Sequence, residues 1–397
     1  MIRPSQPGTA IRLRRLVLGA MVVVPLVAGR MPGLEAASLA PEARIAVLPP
    51  ENLSAVDVSA RDLEGELRER LELRGVNVLD GAATEEFMAL NRIRYTGGVS
   101  GATAVAFRER AATDAILVSS IDLVSRDEIP KFAVTARLVS AEESARILWM
   151  DSVAVAGNEH PGALDLGMIY TPEAVRDAVL DEIADSLSSF VRLGSLPPDS
   201  GPPRRKFRPK TFYRSLEAFR DREPVVRIAV LPFENDSTEP YAGQILALQF
   251  IRHLSALPVV EVIEPGVVRQ ALLEGRVIRD GGVSLPQVDL LRVMLDADLI
   301  LSGTVRDYEE SIGEFGNPLV AFSVSGVDPH RRQIVWSSFS YNEGRDKVYF
   351  WNLGMLHTAH RLSSEMSRAV LEKVLEERRE SLGASLRATG STPGRTE

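Results

Sequence analysis

The 397-residue chain predicts an α/β (α+β) protein: two tandem copies of one mixed-sheet domain with flanking helices, each in the order β-α-β-α-α-β-β-β-α. Three observations predict it. RIAVLPP at 44–50 returns as RIAVLPF at 227–233, each time followed by Glu-Asn. Further blocks then match in the same order: Gly97-Gly98-Val99-Ser100 with Gly281-Gly282-Val283-Ser284, DAILVSSID (114–122) with DLILSGTVR (298–306), and Trp149 with Trp336. The hydrophobic period also alternates between strand-like and helix-like values in the same sequence in both copies. The repeat is far longer than the roughly 20 to 50 residues of a solenoid unit, so each copy is read as a whole domain.

RIAVLP is a short apolar run rich in β-branched residues, which reads as a buried strand closed by Pro49 or Pro232. A helical stretch follows at Asp62 to Arg74 and at Ala242 to Ser255, then second strands VNVLD and VEVIE. A short helix leads to the Gly-Gly-Val-Ser block, where the glycines permit a turn and Ser100 or Ser284 can cap the next helix. ILVSSIDLV and LILSGTV are the third strands. FAVTARLVS with ARILWMDSVAV, and LVAFSVSGV with QIVWSSFSY, alternate with period two and predict antiparallel hairpins. A long amphipathic helix closes each copy, from about Pro172 to Val191 and from about Asn352 to Glu377.

These elements place the first domain at 41–194 and the second at 224–380, expected to fold independently with one topology. Between them, 195–223 is a proline-rich linker whose Arg204, Arg205, Lys206, Arg208 and Lys210 form a basic run in an otherwise acidic chain. Residues 381–397 have no apolar period and are expected to be disordered. At the amino terminus, arginines precede an uncharged apolar run from Leu16 to Gly29. That run is too short for a spanning helix and suits a secretory signal, placed at 1–37. The localisation expected is periplasmic, with an uncleaved inner-membrane anchor as the alternative.

The chain has no cysteine, which excludes disulfides, Cys metal sites and Cys nucleophiles. A net charge of −8 argues against a nucleic-acid partner. There is no phosphate-binding Gly-x-x-x-x-Gly-Lys loop, no Gly-x-Ser-x-Gly elbow and no His-Glu-x-x-His helix. His357 and His360 stand at i and i+3 and could share a metal. The first copy has Tyr170 and Glu173 at those positions, so ordinary surface or helix-start histidines are expected. No catalytic residue, cofactor or metal is assigned, and the chain is read as a non-enzyme.

Asn52-Leu53-Ser54 and Asn235-Asp236-Ser237 match a glycosylation sequon but follow a strand, where turn and cap roles are expected. Open α/β sheets place ligands at the carboxyl ends of their strands. A partner-contact loop is therefore expected at Pro232, Phe233, Asn235 and Asp236, with Phe233 as an aromatic contact that Pro50 does not offer.

The opening IAVLPF-x-N strand, VEVIEPGVVRQALLEGR, the Ala297-Asp298 to Gly303 strand and the closing IVWSS strand together resemble a superfamily of bacterial envelope domains. Its members are the curli-secretion CsgG, penicillin-binding-protein activator and TolB amino-terminal domains. The resemblance implies an exported, non-catalytic scaffold or accessory factor in envelope assembly or secretion that works through protein contacts. A periplasmic small-ligand-binding protein using the cleft between the copies is the alternative. The segments between the third and fourth strands are too short for the membrane hairpins of a CsgG pore, so no spanning barrel is expected, only peripheral association through the basic linker. Many relatives are lipoproteins, yet Leu26-Val27-Ala28-Gly29 is followed here by Arg30 instead of the acylated cysteine.

Overall fold

The computed structural model describes residues 39–389 apart from 41, 126, 160–166, 195–206, 216–225, 278–282, 314–315, 347 and 349–353, with backbone alone for 376–389. The expected export signal, most of the linker and residues 390–397 lie outside the described residues.

The repeated apolar hexapeptide forms a buried strand in both copies, because its β-branched residues fit between two helix layers. In the first copy β1 (Ile45–Val47) lies parallel to β3 (Ala115–Ser125), which pairs antiparallel with β4 (Lys131–Ser140), and β4 with β5 (Ile147–Ala156). A two-residue strand, β2 (Glu51–Asn52), also runs along β3. Helices α1 (Ala60–Leu73) and α4 (Pro172–Leu193) cover one face through Leu63, Leu67, Leu71, Val179 and Ile183. Helices α2 (Gly81–Leu90) and α3 (Gly101–Ala111) cover part of the other through Phe87, Ala104 and Phe107. Local chemistry sets the helix starts: Ser59, Asp80 and Ser100 each accept an N–H from the first turn, and Pro172 opens α4.

The second copy repeats the plan. Its sheet runs β6 (Thr211–Arg214), β12 (Gln333–Glu343), β11 (Leu319–Asp328), β10 (Leu299–Glu309), β7 (Val226–Val230), β9 (Val260–Val262), with β8 (Glu234–Asn235) beside β10. Helices α5 (Ala242–Ser255) and α8 (Ala359–Thr389) cover one face, and α6 (Pro265–Glu274) and α7 (Leu285–Leu295) part of the other. The mixed α+β class and its two sheets are as the sequence predicts.

Three details differ from expectation. VNVLD is no strand but a single bridge, Ile45 to Val78, whereas VEVIE forms β9. Arg227 and Glu261 pair across β7 and β9 at 3.2 Å, while Asn77 at the corresponding place donates to the Glu42 carbonyl. Within the segment assigned to the linker, Thr211–Arg214 pairs antiparallel with β12 and Phe207 is buried in the second core. Phe207 and Phe212 find an apolar face that the surrounding prolines and charges conceal in the sequence. Helix α8 starts later than Asn352 and continues to Thr389, past the expected start of a disordered tail at Ser381.

Both sheets belong to one compact unit. The second copy lies on the face of the first sheet that α2 and α3 leave uncovered. Leu53 and Met150 of the first copy join the second copy's core, and Val267 of α6 packs against cores of both.

Candidate interaction surface

On the first sheet, the uncovered half of that face is a row of polar side chains from neighbouring strands. Ser120, Thr135 and Ser152 stand side by side on β3, β4 and β5, and Val118 is opposite Arg137. A bulge between Ile121 and Leu123 turns Asp122 onto the same row. There Asp122 accepts hydrogen bonds from Ser120 and Thr135. Val118, Ser120, Asp122, Thr135 and Arg137 are buried and Ser152 is half-buried, and the second copy supplies what covers the polar ones.

Arg137, 1% exposed, donates through Nε and Nη2 to Oε1 of Glu264 at 3.0 and 2.8 Å, and through Nη2 to the Gly97 carbonyl. Glu264 is the N-cap of α6, and its other oxygen accepts the Gly266 N–H. The backbones meet here without side chains between them: a Cβ on Gly98 would lie 2.6 Å from the Gly266 nitrogen. Arg269 stacks its guanidinium 4.1 Å above the centre of the Tyr95 ring. Burial pushes the Tyr95 hydroxyl up to about 12 and also raises Glu51 beside Arg137.

At the start of α8, His360 is 2% exposed and places Nε2 3.0 Å from Oδ2 of Asp122 and 3.3 Å from Ser152 Oγ. Gln249 of α5 donates to Ser152 at 3.0 Å. Arg252 of α5 forks onto Oδ1 of Asp151 at 2.9 and 3.2 Å. Lys131 donates to Ser311, and burial lowers its pKa and raises that of nearby Glu310. His360 is thus a helix-start residue as expected, but an interior one. Among the described residues no three His, Asp or Glu side chains are grouped to hold a metal ion.

The corresponding half-face of the second sheet has a different fate. By strand register Ser302 and Ser325 take the places of Val118 and Arg137, and Thr304, Ser323 and Phe339 those of Ser120, Thr135 and Ser152. The same bulge recurs between Val305 and Asp307, and it presents Arg306 where the first sheet has Asp122. Here the hydroxyls and Glu234 line an open trough of about 150 Å³. Arg306 is exposed, and Tyr213 on the added edge strand β6 is 56% exposed.

The expected contact loop borders this trough. Phe233 is 4% exposed and packs on Phe250, its ring under Gly303, so it props the sheet from beneath instead of facing a partner. Asn235 closes its own turn: Oδ1 accepts from Ser237 N and Oγ, and Nδ2 donates to the Glu239 carbonyl. Asn52 does the same with Ser54 and Val56. Pro232 is half-buried and Asp236 exposed. Glu234, between the named residues, lines the trough; strand alternation was the signal that could have found it.

No family model matches the chain, and no curated protein matches it. Among solved structures it is similar to a PelC dodecamer from Paraburkholderia phytofirmans (16% identity, 41% of this chain and 96% of that one, TM-score 0.27). Two others are lipoprotein GNA1162 from Neisseria meningitidis (22%, 36% and 99%, 0.27) and the LpoB C-terminal domain from Salmonella enterica (16%, 31% and 88%, 0.26). At TM-scores this far below 0.5 the likeness carries no function over to this chain.

Proposed function

We propose that the chain is a non-catalytic, exported envelope protein, a periplasmic scaffold or accessory factor that acts through protein contacts made on the open face of its second sheet. The observation that carries this reading is the trough of Glu234, Ser302, Thr304, Ser323 and Ser325, because its counterpart on the first sheet is covered by protein. Sheet faces that carry several serines and an exposed tyrosine suit a wet, polar interface. Pro232 and Asp236 belong to the rim of that surface, with Phe233 and Asn235 holding the loop beside it. Domains at 41–194 and 224–380 and removal of the apolar amino terminus are part of the proposal.

The ligand-binding alternative needs a cleft between the copies. Among the described residues that surface is closed by the Arg137–Glu264 pair, the Gly98–Gly266 contact and the His360 cluster. The test is a photo-crosslinker at Ser323 in cells, with one at Glu109, an exposed site on α3 outside that surface, as control. Crosslinks to envelope proteins from Ser323 alone are expected. Equal yields from both sites would contradict the assignment of the surface.

A further inference from the structure

We propose that the open face of the second sheet binds the first copy of another molecule of this same chain, so that molecules associate head to tail. The proposal rests on the protein-contact reading of that face and names its partner.

The contact already made inside the chain joins two different surfaces, the sheet face of one copy and helix ends of the other. Such a heterologous contact leaves one unused surface of each kind, here the sheet face of the second copy and the helix ends of the first. The second copy docks with α5 and the starts of α6 and α8. Their counterparts in the first copy are α1 and the starts of α2 and α4, where Glu69, Asp80, Ala82 and Glu173 are exposed.

Charge selects this partner. Inside the chain, Asp122 at the sheet bulge meets His360 at the helix start. At the corresponding places stand Arg306 and Glu173, so the sign is reversed at the sheet and an acid stands ready at the helix. Both are exposed, and neither has a hydrogen-bond or ion-pair partner among the described residues. A second substitution follows the same logic. Arg252 reaches β5 from α5; its counterpart on α1 is Glu69, and the counterpart of β5 is β12, whose edge neighbour β6 follows exposed Arg208 and Lys210. An acidic helix surface thus matches a basic sheet edge.

Two other differences set the strength. Ser325 stands where Arg137 binds Glu264, and Ala82 where Gly266 allows backbone contact, so the buried ion pair and the closest approach are both missing. The contact between molecules is therefore weaker than the one within a molecule, reversible and sensitive to salt. Repetition closes a ring if the rotation from copy to copy permits, and otherwise extends a filament.

The test is sedimentation velocity of the purified full mature chain over a concentration series at low ionic strength. The mean mass is expected to rise with concentration and to fall when salt is added. Arg306→Glu and Glu173→Arg each place like charges together and should weaken association at least about tenfold. Mixing the two variants restores opposite charges at every contact and should restore association. Since both sites are exposed, an unchanged unfolding midpoint confirms intact folding; Ser325→Arg with Asp80→Glu, which reinstates the missing pair, should tighten association. A chain that stays monomeric while Ser323 still crosslinks to other envelope proteins would overturn this proposal and leave the protein-contact reading standing. Association unaffected by Arg306→Glu, or not rescued by mixing, would overturn it too.

Discussion

The two sheets present the same half-face with the same bulge, and the chain treats them oppositely. On the first, Arg137, Thr135 and Asp122 are buried and Ser152 half-buried beneath α5, α6 and α8 of the second copy. On the second, Ser325, Ser323 and Arg306 remain accessible. The difference lies in which side chains divergence left in place. A guanidinium and a bulge carboxylate are costly to bury unless a partner satisfies them, and the covered face keeps both. The open face has exchanged them for hydroxyls and a cation that water solvates well. Duplication supplied one contact geometry, and substitution made one instance permanent and left the other available.

The largest effect should come from breaking the permanent contact. Arg137→Met leaves Glu264 buried without its cation and should cost about 3–5 kcal/mol in urea unfolding, while Met with Glu264→Gln recovers much of the loss. Ser325→Ala, at the equivalent place on the open sheet, should change stability by less than about 0.5 kcal/mol. If the copies fold independently, Arg137→Met also separates one unfolding transition into two. Equal costs at Arg137 and Ser325 would break the comparison. Next is Gly98→Ala, whose added methyl meets the Gly266 backbone and should cost about 1–3 kcal/mol by forcing the copies apart. Full stability in that variant would show that the backbones do not touch.

Much of this architecture is legible in the sequence. The repeated RIAVLP stretch, the Gly-Gly-Val-Ser blocks and the period-two hairpins announce two mixed sheets, because local pattern decides buried strands and capped helices. Strand β6 is not legible: Thr211–Arg214 sits among prolines and arginines, and only the waiting edge of β12 makes it a strand. Of the loop at 232–236, its place after a buried strand is readable but the side-chain directions are not. Phe233 points into the core and Asn235 into its own turn, while Glu234 faces the trough. His360 and Asp122 are 238 residues apart, and no periodicity could join them.

A smaller, pH-dependent effect sharpens the same contrast. Burial raises the Glu51 pKa above that of the unfolded chain, with Arg137 opposing the shift. The folded state therefore binds the proton more tightly. The stability this proton contributes is fully present below the unfolded value and is lost as pH rises through the folded one. Above that window the buried carboxylate is a cost. Glu51→Gln should flatten the stability profile there and raise the midpoint at neutral pH, as thermal melts from acid to neutral pH would read. A profile unchanged by Glu51→Gln would place the titration elsewhere.

Cysteine reactivity tests the central claim most directly, since the chain has no cysteine and one introduced thiol reports a single site. Thr135→Cys and Ser323→Cys occupy matching positions on the covered and the open face. Labelled with a maleimide in the native full-length chain, Ser323→Cys should react readily. Thr135→Cys should react at least about 100-fold more slowly, the factor for a local opening that costs about 3 kcal/mol. Comparable rates at the two sites would contradict the account, because the second copy would then not cover the first.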